Sequence, residues 1–284
     1  MCCLADQQQR FVEKFDDEEK KAAFMKEVMS LIGSKGSEYN APWLSAEITE
    51  IREKYYGKQD DILQKKRQFN EYLLRLEEEL RKKIQKEQDP LKEALRYARI
   101  GNYIDFSAVE NVTVDDFMIL FQNEMDQIDS TEYKNFRTDL ARSDNLIYIM
   151  DNCGEIVLDK LVIQELKKQY PHLHIMAMVR GKDAVNDATM EDARMTGIDQ
   201  EVSVIDNNSS VQGVILPLLT KETKAIFDGA DIIISKGQGN FESLYGCGKN
   251  IYYLFLCKCD LFIKRFGVER FEGMFLNENR IKGE

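Results

Sequence analysis

The sequence predicts an α/β protein: a mainly parallel sheet covered on both faces by helices, preceded by an all-helical N-terminal region. Three observations lead there. From about residue 141 of the 284, short apolar runs alternate with amphipathic segments, the pattern of βαβ units and a buried parallel sheet. Before residue 140, apolar side chains recur instead at helical spacing with charges between them. The hydrophobic content is 43%, so a substantial core can form.

The helical stretch is clearest from about Ser45 to Arg99. Phe69, Leu73, Leu76, Leu80 and Ile84 form a stripe that reads as core packing, while Glu77 to Lys86 supplies a solvated face of paired charges. Pro90 interrupts the pattern, and Asp89 is placed to cap the next helix. The chain divides on this pattern into a helical region, 1–140, and an α/β domain, 141–284. In the latter, strands are expected at 145–150, 174–179, 202–205, 231–235 and 251–257, with helices near 155–169, 187–195, 211–228 and 241–247. Right-handed crossovers bring the ends of successive parallel strands to one edge, where open α/β sheets bind their ligands.

Composition narrows the partners. Acidic residues outnumber basic ones by 50 to 39, a formal charge of −11, with no obvious basic face, which argues against a nucleic-acid duplex. No segment approaches the length of a membrane span, and Met1 to Asp6 turns polar at once instead of opening a signal-peptide core. Six scattered cysteines, Cys2, Cys3, Cys153, Cys247, Cys257 and Cys259, suggest reduced thiols in a cytoplasmic protein, with no four-thiolate zinc cluster. Oligomeric state is open.

The strand ends carry the chemistry. The first gives Asp151-Asn152-Cys153-Gly154-Glu155; the second Arg180-Gly181-Lys182 and then Asn186-Asp187-Ala188-Thr189; the third Asp206-Asn207-Asn208-Ser209-Ser210; the fourth Ser235-Lys236-Gly237-Gln238-Gly239-Asn240. Asp151 and Asn152 offer a carboxylate and an amide oxygen to one cation, with Asp187 as third ligand, a set suited to Mg²⁺ or Mn²⁺. Lys236 offers a point charge to a phosphate, and Gly237 and Gly239 allow close backbone approach to an anion. Glu155 is near enough to act as an acid/base group. Each feature has a plainer reading. Asp-Asn after a strand is often a turn or cap, Asn186-Asp187 can cap a helix, Gly-x-Gly can be a tight turn, and Lys236 an ordinary surface lysine. Their convergence on one sheet edge favours a site. His172 and His174 flank a strand start at the opposite edge and are not candidates.

At these residues the chain resembles the damage-control phosphatase family, metal-dependent phosphatases of small phosphorylated metabolites. The resemblance rests on Asp151-Asn152-x-Gly-Glu155, on Arg180-Gly181 with Asn186-Asp187-Ala188-Thr189, and on Ser235 to Glu242; Gly101-Asn102-Tyr103-Ile104-Asp105-Phe106 resembles a motif of the prokaryotic branch. It implies a three-layer α/β/α domain and a site holding Mn²⁺, Mg²⁺, Co²⁺ or Ni²⁺. By similarity, Asp151, Asn152 and Asp187 are the metal ligands and Glu155 and Lys236 are catalytic. Arg180, Lys236, Gly237, Gly239 and Asn240 are expected to contact substrate, with Asn102 and Asp105 expected to reach in from the helical part. Members of that branch often begin with Cys-x-x-Cys; here Asp6 follows Cys3 at the second position, which argues against a metal or redox role at the N-terminus.

Two other functions compete. An adenosylmethionine-dependent methyltransferase would also carry acidic and glycine residues after its first strand, but the Gly-x-Gly-x-x-Gly spacing is lacking. A non-catalytic metabolite-binding protein would account for the long charged helical region.

Overall fold

The computed structural model of the protein describes residues 2–57, 62–101 and 128–281. Asn102 and Asp105 lie outside the described residues. Three helices, α1 (Cys2–Val12), α2 (Glu18–Lys35) and α3 (Ala41–Tyr56), pack around their own small core of Leu4, Val12, Phe24, Val28, Leu44 and Ile48. Two of them start on side-chain caps: Asp17 accepts from Lys20 N at 3.0 Å, and Asn40 from Trp43 N at 3.1 Å.

The next helices belong to the sheet. α4 (Ile62–Lys86) buries Phe69, Leu73, Leu80 and Ile84, with Leu76 packed at the margin, as the stripe requires. α5 (Pro90–Ile100) begins at the proline, and Asp89 Oδ1 accepts from Lys92 N at 3.2 Å. α6 (Ser130–Leu140) follows. All three share one continuous core with the sheet.

The chain then alternates through β1 (Asn145–Ile149), α7 (Glu155–Gln169), β2 (His174–Val179), α8 (Met190–Thr196), β3 (Ser203–Asp206), α9 (Lys221–Asp228), β4 (Ile232–Lys236), α10 (Gln238–Leu244), β5 (Ile251–Leu256), α11 (Asp260–Phe266) and β6 (Gly273–Asn277). The strand order is β3-β2-β1-β4-β5-β6, with parallel pairings through β5 and an antiparallel β6 at the edge. Alternation of side chains along the strands builds three layers. Leu146, Tyr148, Ile232 and Ile234 face α4 to α7, whereas Ile147, Ile149, Ile233 and Phe255 face Phe227 of α9, Phe241 of α10 and Phe262 of α11.

Two segments differ from the sequence-based expectation. The helix expected over 211–228 forms only at its end: residues 211–215 are not helical, Pro217 sits in a single 3₁₀ turn, Leu216–Leu218, and α9 starts after Thr220, which accepts from Thr223 N at 3.1 Å. β6 was not expected, because its apolar run Met274-Phe275-Leu276 is too short to announce itself and becomes a strand only by pairing with β5.

Candidate active site

The strand order sets the location. β1 lies between β2 and β4, so the chain leaves β1 in one direction and reaches β4 and β5 in the other. Connections diverge there and open a crevice at the carboxyl ends. Met150 N–H still donates to Met178 O at 2.9 Å, but the next residues pair with the loop after β2. Ala188 N–H donates to Asp151 O at 2.7 Å and Cys153 N–H to Asn186 O at 2.9 Å. Asn152 and Asp187 form an isolated antiparallel bridge between these bonds. Two loops distant in sequence are thereby zipped together, carrying Asp151, Asn152 and Asp187 to one place. Neither aspartate caps a helix: α7 starts at Gly154 without a side-chain cap, and α8 starts at Thr189 in a reciprocal box with Asp192.

Glycines and α4 hold this arrangement. Gly154 has φ of 69° and lies so close to the Phe69 ring that a Cβ would overlap it, while its N–H donates to Asn70 Oδ1 at 2.6 Å. Gly237, with φ of 81°, lies against the Asp151 carboxylate, which a Cβ would strike. The end of β4 can abut Asp151 only because residue 237 is glycine.

Charge is arranged in two buried groups behind the loops. Arg180 Nε donates to Asp187 Oδ2 at 2.6 Å, and its Nη2 lies 3.8 Å from Asp151 Oδ1. Gln212 Nε2 donates to the other oxygen of Asp187 at 3.3 Å. Burial pushes the Asp187 carboxyl up to about 7, against the pull of Arg180 and with a push from Asp151. Neither Arg180 Nη finds a hydrogen-bond acceptor among the described residues. The second group centres on Lys236. Its Nζ donates to Glu155 Oε1, to Asp159 Oδ1 at 2.8 Å and to Ala98 O at 2.8 Å. Tyr148 OH donates to the same Asp159 oxygen at 2.7 Å. Burial works against the lysine's charge, yet Asp159 and Glu155 outweigh it and hold the ammonium above its ordinary range. Burial pushes Glu155 up to about 7, although Lys236 pulls the other way. Asn152 Nδ2 links this group to the front of the site, donating to Glu155 Oε2 at 3.0 Å and to Asp151 Oδ2 at 2.8 Å.

In front lies a cleft of about 590 Å³. Asp151, Asn152, Asn186, Asp187, Gln212, Gln238, Gly239, Glu242, Lys258 and Phe271 line it from the α/β part; Leu4, Gln7, Ala41, Pro42 and Ser45 line it from α1 and α3, and Phe69 and Gly101 from α4 and the end of α5, beside the Asp151–Glu155 loop. Of the residues singled out from sequence, Asp151, Asn152, Asp187 and Gly239 therefore face the cleft. Glu155, Arg180, Lys236 and Asn240 are buried behind it, and Asn240 Nδ2 donates to Lys236 O at 2.7 Å and Met150 O at 3.2 Å. Sequence reasoning missed Lys258, the one cation among the described lining residues. Its signal was available, since it follows the fifth strand as the other candidates follow the first four. Gln238 lay unremarked between the two glycines; it fixes the Lys258 loop by accepting from Lys258 N at 2.9 Å. Gln7 and Ser45 carried no signal, because helices of the separate N-terminal core bring them in.

Two carboxylates and an amide oxygen can hold a divalent cation. The donors fit: Asn152 commits its N–H groups to carboxylates, and Arg180 and Gln212 each take one acceptor position on a different oxygen of Asp187, leaving a second lone pair on each. Among the described residues no group of three or more His, Cys, Asp or Glu side chains could hold a metal ion, so a site here depends on the asparagine.

A sequence profile of the damage-control phosphatase ARMT1-like domain matches residues 1–274. The chain belongs to that family. Among its relatives, an uncharacterised protein of Methanocaldococcus jannaschii is 30% identical over 269 residues, 89% of this chain and 86% of that one. A damage-control phosphatase of Pyrococcus horikoshii is 28% identical, covering 91% and 90% of the two chains, and one of Archaeoglobus fulgidus is 28% identical, covering 89% and 88%. The crystal structure of a DUF89 family protein from Pyrococcus horikoshii matches with a TM-score of 0.80 and 26% identity, over 98% of this chain and 96% of that one. The sheet, its helical layers and the helical N-terminal region are thus those of a damage-control phosphatase-like fold. Among the described residues, no helix is long and apolar enough to cross a membrane.

Proposed function

We propose that the protein is a divalent-metal-dependent phosphatase acting on small phosphorylated metabolites, with Asp151, Asn152 and Asp187 holding the ion. The observation that carries this reading is the zipper between the loops after β1 and β2, which delivers those oxygens to the rim of a cleft large enough for a small metabolite. Family membership supports the phosphatase half of the reading.

Hard oxygen ligands suit Mn²⁺, Mg²⁺, Co²⁺ or Ni²⁺. A cation held there supplies positive charge to a phosphoryl group and offsets the charge that develops on transfer. The chain's own contribution is positional. Arg180 keeps the neighbouring Asp187 and Asp151 carboxylates compatible with each other. Lys258 faces the cleft as a counter-charge for phosphate, and Lys236 acts from behind, through Glu155. Phe69, Pro42 and Leu4 give the cleft an apolar part of its lining.

The test is release of inorganic phosphate from a panel of phosphomonoesters by chelator-treated protein, with each divalent ion added back. Turnover should depend on the ion, and Asp151→Ala and Asp187→Ala should each lower it roughly a hundredfold or more. Full activity in chelator, or in either variant, would falsify the assignment.

A further inference from the structure

The asparagine is the weak point of the ligand set, because its side chain can present either an oxygen or an NH₂ group to a cation. We propose that Glu155 is a positioning residue: clasped by the buried Lys236, it turns the Asn152 amide so that Oδ1 faces the cleft as a metal ligand. The inference rests on the metal-dependent reading above.

The geometry leaves the amide one orientation. Asn152 Nδ2 has two hydrogens, and each meets a carboxylate: Asp151 Oδ2 at 2.8 Å and Glu155 Oε2 at 3.0 Å. Flipping the amide would set Oδ1 against both of those oxygens, with no hydrogen between them. Asp151 alone does not fix the choice. It adjoins Asn152 in the chain and its side chain keeps 12% exposure, whereas that of Glu155 is fully buried. One oxygen of Glu155 is gripped by Lys236, whose remaining hydrogens go to Asp159 Oδ1 and Ala98 O, each at 2.8 Å. Asp159 is held in turn by Tyr148 OH at 2.7 Å. All these side chains are buried, and they come from β1, α7 and β4. The network therefore ends on rigid elements at one side and on a single rotatable amide at the other. Residues that orient a ligand in this way commonly change metal affinity without touching the metal.

The experiment measures Mn²⁺ binding to the purified full chain by calorimetry, without substrate, with circular dichroism to confirm folding. Glu155→Gln should weaken binding about tenfold or more. It should add nothing to Asn152→Ala, because the glutamate works only through that amide. The decisive comparison uses Asn152→Asp, whose two oxygens are equivalent and need no turning. In that background Glu155→Gln should tighten binding, since the glutamine NH₂ can donate to the new carboxylate at position 152 where a glutamate repels it. The sign of the effect thus reverses with the residue at 152, which a general structural role for Glu155 cannot produce. This pair of variants keeps a donor facing an acceptor, so it tests the proposal even if Glu155→Gln alone does not fold. Binding unchanged by Glu155→Gln, losses that add with Asn152→Ala, or weakening or no change in the Asn152→Asp background would each overturn it. Asp187→Asn separates the two readings. Loss of Mn²⁺ in that variant keeps the metal site standing whatever Glu155 does, and wild-type protein that binds no Mn²⁺ overturns both.

Discussion

Replacing Lys236 with methionine keeps much of the side-chain stem and removes its charge. Three acceptors then lose their donor together: Glu155 Oε1, Asp159 Oδ1 and Ala98 O. Two of these are carboxylates whose side chains, like that of the lysine, have 0% exposure. Removing one partner from a buried ion pair costs about 3–5 kcal/mol. For a chain of 284 residues, unfolding entropy converts each kcal/mol into roughly 2 °C, so Tm should fall by about 6–10 °C. The loss should also depend on pH. Without the ammonium, the buried carboxyls titrate in the folded state above their unfolded range, so the folded form holds protons that the unfolded form releases, and stability drops as pH rises. The deficit should be larger at about pH 8 than at about pH 6. Thermal and urea unfolding followed by circular dichroism read both quantities, and adding Asp159→Asn should recover part of the loss. An inactive Lys236→Met protein with Tm within about 1 °C of wild type would refute this reasoning and make the lysine a substrate contact instead of a buried counter-charge.

Gly237→Ala places a methyl group on the Asp151 carboxylate at a backbone angle of 81°; it should cost about 1–3 kcal/mol in unfolding measurements and also abolish Mn²⁺ binding. Gly246→Ala is its control: φ is 88° but nothing lies within 4 Å of the added carbon, so stability should fall while activity persists. Asp231 accepts from the N–H groups of Asp144 at 3.0 Å and Asn145 at 2.8 Å, and those bonds hold its carboxyl below the usual range. Asp231→Ala should therefore destabilise by about 1 kcal/mol at neutral pH, after allowance for exposure. That difference should shrink as pH falls through the depressed pKa of Asp231, where the wild-type carboxylate takes up its proton and loses the same bonds; a gap that persists in acid would exclude this origin.

Five strands, their parallel order along the chain and the strand-end location of the carboxylates were legible in the amino-acid sequence. Continuous apolar runs with polar ends follow from burial on both faces of a sheet. Asp151, Asn152 and Asp187 could be placed at one edge because right-handed crossovers leave little freedom. The start of α5 was legible for a local reason too, since Asp89-Pro90 both caps and initiates a helix.

Lys236 shows where that local logic ends. Read as the first loop residue it points into the crevice, but β4 runs one residue further and includes it. Side chains alternate along a strand, so Lys236 shares the face of Ile232 and Ile234 and enters the layer beneath α5 and α7. A boundary shift of one position converts a phosphate contact into a buried counter-charge. The lining that α1 and α3 bring to the cleft is non-local throughout. Gln7 and Ser45 sit on helices whose patterning reports only their own small core. Sequence determined the periods, the caps and the chemistry at the strand ends, because those arise from neighbours in the chain. Tertiary packing decided which of these groups meet solvent, since burial depends on what the rest of the fold lays over them.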